Sequence, residues 1–200
     1  MANSKTNRSQ STIRIIGGEW RGRKLPVLDE AGLRPTQDRV RETVFNWLAF
    51  HIAGTVAVDL FAGTGALGLE ALSRGASEVT FIDTNKRAAQ SLTQNLQVLK
   101  APRGKVMCAS AEQWLAAQPD DSIDLVFMDP PFGKNLCQKI LSSPDFERVL
   151  KPRAKVYVER EKSVTLTTQL QLLKEKSTGS LTYSLFEYPT QAAVSKQPKL

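Results

Sequence analysis

The sequence predicts an α/β protein in which a mostly parallel sheet carries helices on both faces. Short apolar segments alternate with helical segments from residue 55 onward, and this alternation is typical of doubly wound sheets. A glycine-rich turn follows the first apolar segment, and a last apolar segment at 181–188 ends the pattern. The closing strands are expected to supply an antiparallel edge.

The first residues of the chain differ from the rest. Residues 1–12 are polar and are predicted to be a disordered tail. Residues 13–27 predict a short β-hairpin, because Gly17 and Gly18 permit a bend between two apolar segments.

A helix is predicted over 37–50. Pro35 holds the residue before it extended, and Thr36 can cap the helix. Arg39 and Arg41 are expected to lie off its apolar face. That face would carry Val40, Val44, Trp47 and Leu48.

The strands and helices of the main region follow from short apolar runs and from helical spacing. Six strands are predicted at 55–61, 78–83, 105–109, 122–129, 154–160 and 181–188. Three helices are predicted at 66–75, 85–100 and 111–117. A further segment at 165–173 precedes a turn at 177–180.

The charge distribution favours a polyanionic partner. The formal charge is +7. Residues 1–41 carry nine Lys/Arg against four Asp/Glu, a net charge of +5, and residues 151–200 carry the same numbers. The middle of the chain has nine against twelve, a net charge of −3. This pattern suggests a catalytic body with nucleic-acid-binding edges.

Composition favours a cytoplasmic protein without a membrane segment. No apolar run approaches the roughly 20 residues that span a bilayer, and the first residues lack the apolar stretch of a secretory signal. Two cysteines, Cys108 and Cys137, lack any motif spacing, which favours a reducing compartment.

The glycine-rich turn predicts a site for a nucleoside cofactor. Gly63, Gly65 and Gly68 form a GxGxxG pattern after the first strand, and Asp83 ends the second strand twenty residues after Gly63. Glycines let the backbone approach a ligand at a helix N-terminus, and the acidic residue can hold ribose hydroxyls. NAD and S-adenosylmethionine both fit this pattern.

Asp59, four residues before the first glycine, favours S-adenosylmethionine. A carboxylate there attracts the ammonium group of that cofactor, whereas it would repel the pyrophosphate of NAD. Ser110 and Ala111 follow the third strand, where an adenine could be bracketed. The predicted cofactor-binding residues are Asp59, Phe61, Gly63, Gly65, Asp83, Ser110 and Ala111.

The sequence Asp129-Pro130-Pro131-Phe132 at the end of the fourth strand predicts the catalytic site. An exocyclic base amine is a poor nucleophile until its hydrogens are accepted. The Asp129 carboxylate and the Pro130 carbonyl supply acceptors, and the prolines fix the loop. Phe132 offers a face for stacking. Methyl transfer from a sulfonium depends on positioning, so neither a metal nor a covalent nucleophile is required.

These residues resemble the bacterial small-subunit ribosomal RNA guanine-N(2)-methyltransferases, specifically the family acting on 16S rRNA guanine 966, the RsmD type. The resemblance rests on RIIGGEWRGRKLPV, LRPTQDRVRETVFNWL, VDLFAGTGALGLEALSRGA and DLVFMDPPF. It implies a Rossmann-like class I methyltransferase fold, with seven strands of which the last is antiparallel. It also implies S-adenosylmethionine as donor, and 16S rRNA in an assembled or assembling small subunit as substrate.

The resemblance makes the N-terminal segment the RNA-facing part of the molecule. The basic residues can neutralise phosphates, and Trp20 can stack on an unpaired base or pack against the body. The candidates are Arg14, Trp20, Arg21, Arg23, Lys24, Arg34, Arg39 and Arg41. We therefore expect an RNA-binding extension at 13–52, a methyltransferase domain at 53–190 and a tail at 191–200, in a monomeric protein.

Other functions stay open at this point. A DNA adenine-N(6)-methyltransferase shares the amine chemistry, although the chain is short for a separate target-recognition domain. A protein-glutamine methyltransferase normally has Asn at the start of this loop. An NAD-dependent oxidoreductase would use the glycine turn alone. A non-enzymatic RNA-binding module would need the basic residues but not Asp129.

Overall fold

A computed structural model describes residues 11–28 and 38–190. Within these ranges the helices are α1 Asp38–Trp47, α2 Ala66–Ser73, α3 Lys86–Leu99, α4 Ala111–Ala116, α5 Leu136–Leu141 and α6 Pro144–Val149. The strands are β1 Thr12–Arg14, β2 Lys24–Pro26, β3 Val56–Asp59, β4 Glu78–Asp83, β5 Gly104–Cys108, β6 Ile123–Met128, β7 Leu150–Glu161, β8 Gln171–Thr178 and β9 Leu181–Glu187.

The large sheet has seven strands in the order β5-β4-β3-β6-β7-β9-β8. Strands β3 to β7 are parallel, and β9 is antiparallel to both of its neighbours. The predicted α/β class, the mostly parallel sheet and the antiparallel last strand are confirmed. However, β9 is an inner strand between β7 and β8, and β8 is the edge. Accordingly, β9 is buried along its length whereas β8 is almost wholly exposed.

Helices cover both faces of the sheet, as predicted. One hydrophobic cluster joins the N-terminal hairpin, α1, α2 and α3 to one face. The other cluster joins α4, α5 and α6 to the opposite face. Among the described residues, no helix is long and apolar enough to cross a bilayer.

The N-terminal hairpin is held on α2 by buried polar contacts. The Glu70 carboxylate accepts hydrogen bonds from the Ile16 and Gly17 amides at 2.7 and 2.8 Å. Ser73 Oγ donates to the Gly17 carbonyl at 2.6 Å and accepts from the Trp20 amide at 2.9 Å. The hairpin is therefore fixed to the helix that follows the glycine turn.

Several boundaries differ from the sequence predictions. Strand β1 begins at Thr12, inside the predicted disordered tail. No element had been predicted where α5 and α6 form, and β8 had not been recognised as a strand. The predictions for residues 1–10, 191–200, Arg34, Pro35 and Thr36 fall outside the described residues.

Parallel register brings the functional segments to one edge. Asp59 at the end of β3 pairs with Phe81 of β4 and with Phe127 of β6. Met128, the last residue of β6, pairs with Val158 of β7. The loops after β3, β4, β6 and β7 therefore lie side by side, at the carboxyl edge where open α/β sheets bind ligands.

Candidate active site

The glycine turn adopts the backbone conformation that its sequence demands. Gly63 and Gly65 have φ of +52° and +78°, in the left-handed region where a side chain is strained. Gly65 is the N-cap of α2, and a Cβ there would lie 2.4 Å from Leu92 Cδ1. The glycine at position 65 therefore lets Leu92 of α3 pack closely against the turn.

Asp83 holds this turn from the end of β4. Its Oδ2 accepts a hydrogen bond from the Gly63 amide at 2.8 Å, and its Oδ1 accepts from the Asn85 amide at 2.7 Å. A carboxylate has about four acceptor sites. Asp83 can therefore fix the turn and still accept hydrogen bonds from ribose hydroxyls, the role predicted from the sequence.

Asp59 is buried, with 2% of its surface exposed. Its Oδ2 accepts a hydrogen bond from the Gly68 amide at 3.2 Å, while its Oδ1 has no partner among the described residues. The pKa of Asp59 is raised to about 7, mainly by burial, with contributions from the charges of Asp129 and Asp83 and against the lowering effect of the Gly68 hydrogen bond. A buried acceptor without a partner fits the ammonium group of S-adenosylmethionine.

The other predicted cofactor residues lie near this turn with less direct roles. Phe61 is half-buried and packs against the second hydrophobic cluster. Ser110 caps α4, with its Oγ accepting from the Gln113 amide at 3.2 Å, and Ala111 is buried at the start of that helix. Their contact with an adenine stays a prediction.

The amine loop directly follows β6. Asp129 is half-buried, Pro130 is buried and Pro131 is exposed, while Phe132 is 45% exposed. Asp129 lies close enough to Asp59 for its charge to contribute to the raised pKa of that residue. The structure thus brings the predicted donor site and the predicted amine site together.

A buried polar pair that the sequence analysis did not identify lies beside Asp129. Tyr157 Oη donates to Glu159 Oε1 at 2.7 Å, and Glu159 is 3% exposed. Burial raises the pKa of Tyr157, with contributions from Glu159 and Asp129. The sequence could have indicated this pair through Glu159, a charged residue near the end of the apolar strand AKVYVER.

Two predicted RNA contacts are wrong. Trp20 is 7% exposed and belongs to the hydrophobic core, so it packs the hairpin and has no free face for a base. Arg41 is 2% exposed, and its guanidinium donates to the Arg14 carbonyl at 2.8 Å and to Asp38 at 2.6 Å. Arg41 lies on the buried helical face because it precedes Val44, Phe45 and Leu48 at helical spacing.

The remaining described candidates are exposed. They are Arg14, Arg21, Arg23, Lys24 and Arg39. The hairpin bend lies at the C-terminal end of α2, whose eight residues span roughly 12 Å from the glycine turn. By contrast, Val27 and Leu28 at the end of the hairpin line a small cavity with Gly63 and Thr64.

No cluster of metal-ligating side chains occurs within residues 11–28 and 38–190. Cys137 is buried, and burial is the main reason why its pKa is raised to about 12. A thiol of this kind is a weak nucleophile at neutral pH. In the described site, the groups available for binding and catalysis are therefore the carboxylates and the exposed ring of Phe132.

Known proteins are similar to this chain in sequence and fold. A family model described as Conserved hypothetical protein 95 matches residues 13–187. The ribosomal RNA small subunit methyltransferase D of Haemophilus influenzae is 46% identical over 193 residues, which cover 94% of this chain and 100% of that protein.

Two solved structures extend the comparison. The putative methyltransferase yhhF from Escherichia coli has a TM-score of 0.81 and 45% identity, covering 90% of this chain and all of the other. A putative SAM-dependent methyltransferase from Streptococcus mutans, with a TM-score of 0.68 and 15% identity over 90% of this chain and 55% of its own, shares the fold. The fold is therefore that of class I methyltransferases, and the chain belongs to the Conserved hypothetical protein 95 family, which is the family of ribosomal RNA small subunit methyltransferase D.

Proposed function

We propose that this protein transfers a methyl group from S-adenosylmethionine to the exocyclic N(2) amine of a guanine in 16S ribosomal RNA, in an assembled or assembling small subunit. The name of the Haemophilus influenzae relative supports a methyltransferase acting on small-subunit rRNA. The observation that carries the proposal is the closeness of Asp59 and Asp129 at the ends of adjacent strands.

The glycine turn and its two carboxylates would bind the methyl donor. The unpartnered Oδ1 of Asp59 accepts a hydrogen bond from the ammonium group, which replaces the missing partner of a buried acceptor. Asp83 accepts from the ribose hydroxyls while it holds Gly63. When bound, S-adenosylmethionine supplies an electrophilic methyl group on a sulfonium.

The loop after β6 would hold and activate the base amine. The Asp129 carboxylate and the Pro130 carbonyl accept hydrogen bonds from the two amine hydrogens, so the nitrogen lone pair becomes available for attack. As the nitrogen–carbon bond forms and the sulfur–carbon bond breaks, Asp129 accepts the proton that the amine loses. The exposed ring of Phe132 stacks on the base.

The exposed basic residues of the N-terminal segment would bind phosphates of the RNA. Arg21 and Arg23, at the hairpin bend, extend this surface away from the catalytic edge, which suits a large substrate. Residues 13–52 thus act as an RNA-binding extension of a methyltransferase domain at 53–190. The protein acts as a monomer in the cytoplasm, where its substrate is assembled.

The test uses small subunits from cells that lack this enzyme. They are incubated with labelled S-adenosylmethionine and the protein, and the modified nucleotide is mapped by mass spectrometry. The expected result is one N(2)-methylguanine in 16S rRNA. Asp129→Ala should abolish turnover while donor affinity stays nearly unchanged.

Asp120→Ala is the matched control, because Asp120 is an exposed aspartate paired only with Arg148 among the described residues. This variant should be as active as wild type. Incorporation of label into DNA adenine, or binding of NAD without binding of S-adenosylmethionine, would contradict the proposal. Equal loss of donor binding in Asp129→Ala would overturn the role of that residue.

A further inference from the structure

An open cleft adjoins the amine loop. Its volume is about 480 Å³, and it is lined by Phe132, Glu161, Lys162, Ser163 and Ser180. Phe132 belongs both to the amine loop and to this cleft. A base that stacks on Phe132 therefore has the side chains at the end of β7 as neighbours.

The sheet register places Glu161 on the same side as the amine site. Met128 pairs with Val158, so Asp129 follows β6 at the level of Glu159. Side chains alternate along a strand, so Glu159 and Glu161 lie on one face, roughly 7 Å apart along β7. Glu161 therefore lies two residues beyond Glu159, on the same face of β7 and farther along the strand past the level of Asp129.

Glu161 is available to a ligand, whereas Glu159 is not. Glu159 is buried and accepts the hydrogen bond of Tyr157. Glu161 is only half-buried, and its carboxylate has no hydrogen bond or ion pair within the described parts of the chain. An ionised carboxylate only accepts hydrogen bonds, so this side of the cleft requires a donor.

The Watson–Crick edge of guanine supplies such a donor next to the reactive amine. Guanine carries N1–H beside the N(2) amine, so the edge offers two adjacent donor positions. In 2,6-diaminopurine the same amine is present, but N1 is an acceptor. A carboxylate that accepts a hydrogen bond from a base N–H disfavours an analogue that lacks this hydrogen. In the analogue two acceptors, the carboxylate oxygen and N1, face each other without a hydrogen between them.

We infer that Glu161 is a specificity-determining residue that accepts a hydrogen bond from N1–H of the target guanine, while Asp129 accepts from the N(2) amine. The inference rests on the proposed function and deepens it, because it assigns the choice of base to this chain's own side chain. Lys162 lines the same cleft.

The test compares two substrates that differ at a single base. Small subunits are reconstituted with 16S rRNA in which ligation places either guanosine or 2,6-diaminopurine at the modified position. Wild-type protein should prefer guanosine by roughly 10- to 100-fold in kcat/KM. Glu161→Gln offers an amide donor to the acceptor N1, so the preference should fall at least about tenfold.

Glu147→Gln is the matched control, because Glu147 lies on α6, which leads into the opposite end of β7. It should keep the wild-type preference. The inference is overturned if wild-type protein methylates both substrates equally, a result that needs no variant. It is also overturned if Glu161→Gln keeps the full preference. If wild-type protein modifies neither substrate, the proposed function itself fails.

Discussion

Glu70 allows the attachment of the N-terminal segment to be tested by one isosteric change. Its carboxylate is fully buried and accepts from the Ile16 amide, the Gly17 amide and Arg74 Nε at 2.7 to 2.8 Å. In Glu70→Gln the side chain keeps its size but has one acceptor oxygen and one NH₂ donor. At least one buried N–H group would then face a donor.

The magnitude follows from these contacts. Leaving one buried donor unsatisfied costs about 1–3 kcal/mol, and hydrogen bonds to a charged group are worth more than neutral ones. Arg74 is partly exposed, so water compensates for some of its loss. We therefore expect Glu70→Gln to lower the free energy of unfolding by about 2–4 kcal/mol.

Urea unfolding measures this change, and hydrogen exchange locates it. One of the Ile16 and Gly17 amides should exchange faster in Glu70→Gln than in wild type, because the two amides bond to different carboxylate oxygens and only one of these is kept as an acceptor. Glu42→Gln is the control, since Glu42 is exposed on α1, and it should change stability by less than about 0.5 kcal/mol. Equal stability and equal exchange in the two variants would refute this account of the attachment.

Three further changes test other features. Because burial raises the pKa of Asp59 to about 7, the folded protein keeps a proton that the unfolded chain loses, and its free energy of unfolding falls as the pH rises from about 4 to 7. Asp59→Asn should therefore stabilise the ligand-free protein at pH 8 by roughly 2–4 kcal/mol in urea unfolding, and weaken donor binding in a titration. Gly68→Ala places a Cβ 2.2 Å from Phe81 Cε1 and should destabilise by about 1–3 kcal/mol in the same assay. Charge reversal at Arg21 and Arg23 should weaken binding to small subunits and flatten its salt dependence in a binding assay, with catalysis of the bound complex retained.

The inner strands of the sheet were predictable because burial on both faces forces short β-branched runs between helical segments. Strand β4 was predicted with its observed bounds. The glycine turn was also predictable, because its backbone demands glycine whatever the rest of the chain does. These features depend on local sequence.

Features that depend on contacts between distant parts of the chain could not be predicted from the sequence. Strand β8 is an exposed edge with no apolar alternation, so its pattern QLLKEKST does not indicate a strand. Arg41 is buried with its Nη2 group donating to a backbone carbonyl and to an aspartate, and helical spacing alone gives no sign of these partners. Glu70 likewise has partners more than fifty residues away in the sequence.

In the proposed reaction, a methyl donor at the end of β3 faces a base amine held at the end of β6. A structure of the protein bound to the small subunit with S-adenosylhomocysteine would show whether this arrangement forms. We expect the guanine N(2) within about 3 Å of an Asp129 carboxylate oxygen, with the ammonium group of S-adenosylhomocysteine against Asp59. A base amine held elsewhere, or a cofactor bound away from Gly63, would contradict it.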